Sequence, residues 1–492
     1  PPYCGITGNF EQDGGEIASG TDKAWFNHLY FSRYTQSGST ATSNEGDYKG
    51  FQEGDTFGFA VDLDARIFYG YRHGSLVFYD TTIPDANTTK FAPFVFSTND
   101  GSSGGIWSDT TFNFGQRPFK HTVPEGFSPI ATNNITPGIL RAQKHFGVVT
   151  WSGNSTTSNR KISGLEFKPD LVWTKTRNHA YHHVWMDSVR GANNRLNSDQ
   201  NYAENNPNGG YLASFDEGGF TWQYGGGSSN EWWNESGKNY IAWCWKAGGT
   251  AVTNTVGNIS AQVSANDEAG FSIITYTGDG NSSGNVGTGL RSSQPLDMAI
   301  VKRRDSTSDW QVGHRASGQS NNFAYHTNLN DTSQLSGSGP YHMGTQSATN
   351  GDRLYLASGG LTSSATYVAY VWQERPGYSN FGSYEGNGSS DGSFIETGFR
   401  PAFVLTKIID GINENWTISD STRSTYNPVD AFLRPDEDTQ ETSGAATMDF
   451  LSNGFKLRTS DTKTNRDGST YIYMAFAERP HVSPFGTQSN AR

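Results

Sequence analysis

Phe167-Lys168-Pro169-Asp170-Leu171-Val172-Trp173-Thr174-Lys175 is stated three times in this chain. It returns as Gln294-Pro295-Leu296-Asp297-Met298-Ala299-Ile300-Val301-Lys302 and as Arg400-Pro401-Ala402-Phe403-Val404-Leu405-Thr406-Lys407. Each version is a proline, a short apolar run and a lysine. A tryptophan follows each proline after 16, 15 and 15 residues, as Trp185, Trp310 and Trp416. Farther on, at 71, 72 and 70 residues, come Tyr240-Ile241-Ala242-Trp243, Tyr367-Val368-Ala369-Tyr370 and Tyr471-Ile472-Tyr473-Met474. Landmarks kept in step over that distance mark a tandem array of one domain. Pro169, Pro295 and Pro401 suit the first residue of a strand, where no ladder donor is needed. The three tryptophans, at matching positions, read as one buried core residue per copy.

The openings agree. Phe146-Gly147-Val148-Val149-Thr150-Trp151, Phe271-Ser272-Ile273-Ile274-Thr275-Tyr276 and Phe381-Gly382-Ser383-Tyr384 each run into an aromatic-x-Gly loop. Those loops offer Trp151 with Asn154, Tyr276 with Asp279, and Tyr384 with Asn387 as candidate binding residues, an aromatic face beside a polar group. Boundaries follow at 1–138, 139–250 (copy 1), 251–377 (copy 2) and 378–492 (copy 3). Copies 2 and 3 close alike, on Glu374-Arg375-Pro376 and Glu478-Arg479-Pro480. Copy 1 ends instead in Lys246-Ala247-Gly248-Gly249 and a Thr/Asn/Ser/Ala-rich linker, so it is expected to hinge against a docked pair. The polar stretches Gln200 to Gly210 and Asn330 to Gly344 are expected as variable binding loops.

A length of 492 residues allows three or four domains. Charged residues make up only 17%, but 13 Trp, 23 Tyr and 30 Phe supply apolar area that a disordered chain lacks. The net charge of −12 argues against a nucleic-acid partner. No apolar run is long enough for a membrane-spanning helix. The chain opens at Pro1 with neither Met nor a signal-like segment, as expected of a processed start or of uncounted residues before it. Cys4 and Cys244 fall in different expected domains, so no disulfide is expected between them.

In the N-terminal part, Phe57, Phe59, Val61 and Leu63 alternate and share one strand face. Asp64-Ala65 turns the chain into Arg66-Ile67-Phe68-Tyr69-Gly70-Tyr71, and His73-Gly74 reads as a second hairpin turn. Phe91 to Phe96 and Phe112 to Phe119 follow as strands, and 128–140 reads as a linker. Gly54-Asp55, Val61-Asp62-Leu63-Asp64, the x-Gly turn and Asn113-Phe114-Gly115-Gln116 resemble the SPRY family over residues 50–120. Two features depart from it: His73 stands where that family usually has Asn, and the segment from Trp25 to Phe31 fits poorly. The resemblance implies a concanavalin-like jelly-roll sandwich that binds through loops at one end.

Chemical motifs are weaker. Gly280-Asn281-Ser282-Ser283-Gly284 and Gly388-Ser389-Ser390-Asp391-Gly392 satisfy G-x-S-x-G, but no helical pattern follows, so neither reads as a nucleophile elbow. His179, His182 and His183 form a cluster with no counterpart in the other copies, and they read as exposed loop histidines rather than zinc ligands. Asp461 to Gly468 resembles a calcium loop at Asn465-x-Asp467-Gly468 but puts Lys463 at the first ligand position, so a turn is expected. No cofactor is expected, and calcium has no support in the sequence. Arg190, Arg315 and Arg423 read as surface or inter-copy contacts.

The repeated unit resembles β-rich modules of marine tailed-phage virion proteins, most strongly at Phe167 to Trp173 and Asp187-Ser188-Val189-Arg190-Gly191. That resemblance implies an extracellular, virion-borne protein: a tail fibre, head fibre or capsid decoration. Its implied partners are other virion proteins or host-surface glycans, and a homotrimer is compatible. The expected fold is all-β, an N-terminal SPRY-like jelly-roll sandwich followed by three tandem β-sandwich modules, without enzymatic activity. The competing readings are a polysaccharide depolymerase and a secreted bacterial adhesin.

Overall fold

The computed structural model describes residues 2–8, 23–26, 31–34, 40–43, 56–62, 65, 67–80, 91–97, 119–124, 127, 141–205, 211–224, 232–319, 322–337 and 341–478. Its contacts divide the chain into two units, Pro1–Ile135 and Thr136–Arg492. Among the described residues the fold is all-β, interrupted by three single-turn 3-10 helices.

The first unit holds β1 (Pro2–Gly8), β2 (Lys23–Phe26), β3 (Phe31–Tyr34), β4 (Thr40–Ser43), β5 (Phe57–Asp62), β6 (Ile67–Arg72), β7 (Ser75–Asp80) and β8 (Phe91–Ser97). They form one antiparallel sheet in the order β4-β3-β2-β1-β8 and the meander β5-β6-β7. The second expected turn is present, and the first is bounded by described residues on both sides although Leu63 and Asp64 lie outside them. The Ala65 amide donates to Asp62 Oδ1 at 2.8 Å, and His73 and Gly74 adopt φ of 52° and 83°. Phe59, on the face read as apolar, stacks on buried Phe68 at 5.6 Å yet stays 39% exposed. Gly54-Asp55, residues 112–118 with their Asn-Phe-Gly-Gln, and the linker expected at 128–140 lie outside the described residues.

The second unit carries the repeats. Copy 1 contains β9 (Phe146–Ser152), β10 (Arg160–Ser163), β11 (Leu171–Thr176), β12 (Val184–Asp187), β13 (Tyr211–Asp216), β14 (Gly219–Gln223) and β15 (Asn239–Trp245). Copy 2 contains β16 (Val252–Asn254), β17 (Ala261–Asn266), β18 (Phe271–Thr277), β19 (Ser283–Gly287), β20 (Met298–Arg303), β21 (Gln311–His314), β22 (Thr327–Asn328), β23 (Arg353–Ala357) and β24 (Thr366–Trp372). Copy 3 contains β25 (Ser379–Glu385), β26 (Phe394–Glu396), β27 (Pro401–Ile408), β28 (Thr417–Asp420), β29 (Val429–Leu433), β30 (Thr442–Leu451), β31 (Gly454–Leu457) and β32 (Thr470–Ala477).

Each copy has the same inner sheet, in the orders β12-β11-β15-β9, β21-β20-β24-β18 and β28-β27-β32-β25. Smaller outer strands accompany it: β10-β14-β13 and β19-β23 as separate sheets, and β26-β31-β30 joined to the inner sheet of copy 3 through β29. The aromatic-x-Gly loops need glycine because the chain passes hard against a neighbouring backbone. A Cβ on Gly153, Gly278 or Gly386 would overlap the carbonyl oxygen of Glu235, Thr362 or Arg466. The stretch expected as a linker after copy 1 instead forms β16 and β17, which extend the inner sheet of copy 2. There Ala261 and Val263 turn inward on either side of exposed Gln262, a short period-two pattern carried by small residues.

Both faces of each inner sheet are buried, for different reasons. In β15, Ala242 and Cys244 enter the sandwich core of their own copy, whereas Ile241, Trp243 and Trp245 enter a core shared by all three copies. In β24, Tyr367, Ala369 and Val371 serve copy 2 alone, while Val368, Tyr370 and Trp372 join the shared core. Copy 1 therefore does not hinge. Trp185 packs on Trp310 of copy 2 at 5.3 Å and on Tyr370 at 4.9 Å. Phe146 packs on Phe476 of copy 3 at 4.9 Å. The array closes on itself as a ring of three, because an isolated sandwich would leave the second face of its inner sheet in water.

Candidate functional site

The most elaborate polar chemistry lies at the three seams of this ring, and the ladder register makes the seams comparable. Leu171, Met298 and Phe403, each four residues before the strand-end lysine, pair with Asp187, His314 and Asp420. The lysines repeat one contact. Lys175 of copy 1 donates to the Asp438 carbonyl of copy 3 at 3.1 Å. Lys302 of copy 2 reaches the Asn201 carbonyl of copy 1 at 3.4 Å, and Lys407 of copy 3 reaches the Thr332 carbonyl of copy 2 at 3.0 Å. The direction is cyclic: 1 to 3, 2 to 1, 3 to 2. Burial pushes all three ammonium groups down to about 8, against the opposing pull of nearby carboxylates.

A second set of contacts follows the same cycle. Trp243 Nε1 of copy 1 donates to Asp420 of copy 3 at 3.1 Å, and the Tyr370 hydroxyl of copy 2 donates to Asp187 of copy 1 at 2.7 Å. The third position differs: His314 Nε2 of copy 2 lies 3.1 Å from the Tyr473 carbonyl of copy 3. Asp187 and Asp420 each also hold a buried arginine three residues on, Arg190 and Arg423, at 2.5 Å. Arg315, read together with these two as a surface or inter-copy contact, instead stands half-exposed 3.7 Å from Asp297 of its own copy.

A third set distinguishes the seams. The Glu204 and Glu441 amides donate to the Arg304 and Arg177 carbonyls, and the Leu335 amide donates to the Ile409 carbonyl. Two seams add an arginine–carboxylate fork, Arg304–Glu204 at 3.0 and 2.7 Å and Arg177–Glu441 at 2.8 and 2.8 Å. The third has Leu335 and Ile409 against the shared core. The stretches expected as free binding loops, Gln200 to Gly210 and Asn330 to Gly344, therefore supply seam carbonyls and side chains. Residues 206–210 and 338–340 within them lie outside the described residues.

The register also reassigns the tryptophans. Trp310 and Trp416 stand four residues before His314 and Asp420, and their indoles donate to the Asn197 and Asn328 carbonyls of the neighbouring copy at 2.9 and 2.7 Å. Four residues before Asp187 is His183, not Trp185. Trp185 matches Val312 and Ile418, which face the same ladder neighbours. The proline-to-tryptophan spacing concealed this because the connecting loops differ in length. Pro295 likewise sits one residue farther from its lysine than Pro169 and Pro401 do from theirs.

His183 is fully buried, contrary to the expectation of an exposed loop. Its Nδ1 accepts from Trp173 Nε1 at 3.1 Å. Burial, with Lys175 adding to it, pushes its imidazole well below the usual range. His182 is held in the opposite direction by Asp199, 2.5 Å from its Nδ1.

The six residues proposed as binding platforms are mostly structural. Tyr276 and Tyr384 are buried, stacked on Tyr367 at 5.1 Å and Tyr471 at 5.0 Å. Trp151 stacks on Tyr240 at 5.4 Å and donates to the Trp233 carbonyl. These rings bury because they form cross-strand pairs at the sandwich end. Asn154 pairs with Asn234, Asn387 with Asn465, and Asp279 accepts from the Asn281 amide within its own turn. The Asp461 to Gly468 segment is a turn in which Asp461 takes the Lys463 amide at 2.9 Å.

Strands, not helices, follow both G-x-S-x-G matches. Among the described residues no group of three His, Cys, Asp or Glu side chains is placed to hold a metal ion. An open groove of about 390 Å³ lies beside β19 and β23 of copy 2.

A family model described as "Domain of unknown function (DUF7483)" matches residues 141–480. No curated protein and no solved structure matches the chain.

Proposed function

Because the chain belongs to the DUF7483 family through its three-copy unit, we propose that this unit is a scaffold and that the protein works by adhesion. It is a structural protein of a tailed-phage virion, a fibre or capsid decoration, that contacts host-surface glycans or other virion proteins. The observation that carries this reading is where the repeated residues go. Lys175, Lys302 and Lys407, with Trp310 and Trp416, are all engaged in joining copies. Repetition of seam contacts, rather than of a reactive constellation, is what a load-carrying body needs. Three outer layers on one rigid ring present several weak contacts to a surface, and linked contacts raise the effective concentration of each other. The first unit, by its SPRY resemblance, adds a separate loop-borne binding surface.

Antibody labelling of purified phage particles, with mass spectrometry of their proteins, is expected to place the chain on the particle exterior. Its absence from particles overturns the virion reading. Release of reducing ends from host polysaccharide, abolished by one Asp or Glu substitution, overturns the non-enzymatic one.

A further inference from the structure

We infer that the groove beside β19 and β23 of copy 2 is a carbohydrate site for a neutral hexose or a short neutral oligosaccharide. The inference rests on the adhesion reading and gives it a location and a ligand class. The groove's volume of about 390 Å³ falls in the lower part of the roughly 300–1,000 Å³ of small-molecule sites. Its polar lining comes from Asn258, Ser282, Ser283, Asn285 and Thr345, and its one aromatic face from Tyr355. Ser282 and Ser283 belong to the first G-x-S-x-G match, whose chemistry here is hydrogen bonding rather than nucleophilic attack.

Two asparagines prepare the site. Asn258 Oδ1 accepts the Asn285 amide at 2.6 Å, and Asn285 Oδ1 accepts the Asn258 amide at 3.3 Å. Both side-chain oxygens are thereby committed to backbone, and the two side-chain NH2 groups remain as donors for a ligand. The Ser282, Ser283 and Thr345 hydroxyls can donate or accept, and half-buried Tyr355 offers a ring for stacking. No carboxylate, ammonium, guanidinium or imidazole lines the groove.

That composition selects by exclusion. An anionic sugar would find no counter-charge on a chain of net charge −12. A cation would find no carboxylate, and an apolar ligand would leave the amides and hydroxyls unpaired. A neutral polyol with one apolar ring face satisfies all of them. In copy 3 the corresponding outer hairpin instead carries Lys456 paired with Asp391 at 2.8 Å, so the site belongs to copy 2.

Gly344 provides the test. A Cβ there meets nothing nearer than the Leu356 carbonyl oxygen at 4.0 Å, so a side chain has room to start at this position, and Gly344→Trp is chosen to fill the groove. Saturation-transfer NMR of the full chain is run with neutral gluco- and galacto-oligosaccharides and with an oligogalacturonate. The expected result is binding of a neutral sugar, weakened at least tenfold by Gly344→Trp and severalfold by Thr345→Val, with circular dichroism unchanged. Preference for the galacturonate, binding indifferent to both substitutions, or no sugar binding by the folded protein each overturns the inference. Should Gly344→Trp misfold, Thr345→Val and Ser282→Ala carry the same test. Substitution-sensitive sugar binding by a protein absent from particles would refute the virion reading alone. A particle-borne protein whose glycan binding ignores the substitutions would refute the groove alone.

Discussion

His314 makes a seam sensitive to acid, and replacing it with an amide side chain removes that sensitivity. It is 2% exposed, accepts the Ala316 amide at Nδ1 and meets the Tyr473 carbonyl of copy 3 at Nε2. That arrangement uses the neutral tautomer. Burial pushes its pKa down to about 4, against roughly 6.5 in an unfolded chain. As pH falls below the unfolded value, the unfolded chain takes up the proton first, so folding stability declines until the folded value is passed. Integrated, the loss is about 2 kcal/mol between pH 7 and pH 5, and about 3 kcal/mol by pH 4.

Other groups bend the overall curve. His342 is also pushed to about 4, while Asp436 and Glu374 are raised to about 7 and about 6 and act in the opposite sense. These groups are common to wild type and variant, so the difference between the two proteins isolates position 314. His314→Asn keeps the acceptor for Ala316 and His314→Gln keeps a donor for Tyr473; at pH 7 each is expected to cost about 1 kcal/mol for the contact it loses. Urea unfolding followed by tryptophan fluorescence should then show both variants gaining on wild type as pH falls, and overtaking it between about pH 6 and pH 5. A variant-to-wild-type difference that stays constant from pH 7 to pH 4 would refute a buried neutral imidazole.

The seam forks should be replaceable but not divisible. Glu441→Gln alone is expected to cost about 2–4 kcal/mol by stranding Arg177, whereas Arg177→Ile with Glu441→Leu, copying the Ile409–Leu335 seam, recovers most of it; urea midpoints of the three proteins decide. Trp310→Phe, which keeps the ring but loses the bonds to the Asn197 and Gln200 carbonyls, should cost about 1–2 kcal/mol, and Trp310→Ala about 3–5 kcal/mol. Calorimetry measures both, and a Trp310→Phe protein as stable as wild type would deny the indole a role as donor. Cys244 is buried without a disulfide, and burial pushes its thiol up. Its peptide should stay unlabelled by iodoacetamide in the native protein and become labelled along the urea unfolding transition; labelling in buffer alone would contradict its place in the sandwich core of copy 1.

The threefold reuse of one β-unit was fully legible in the chain, because a repeated strand must repeat its apolar run, its leading proline and its terminal lysine. The turn at His73-Gly74 was legible for an equally local reason: residues that tolerate positive φ mark it. What the repeats do with one another was not. Runs such as Leu171 to Trp173 look continuous because both faces of the strand are buried, and a continuous run cannot say that one face belongs to another copy. Lys175 meets a carbonyl 263 residues away, and nothing in local periodicity records a partner at that distance.

Unequal loops also shifted Trp185 out of register with Trp310 and Trp416, so only the ladder placed His183 at their position. The aromatic-x-Gly residues were found, but whether those rings faced water or a cross-strand partner depended on packing. Sequence alone settled the strands and their repetition, since those follow from side-chain periodicity and backbone sterics. The closed ring, its seams and the burial of the candidate platforms were decided by the tertiary structure, where apolar faces left over by each sandwich could be buried only against the other two.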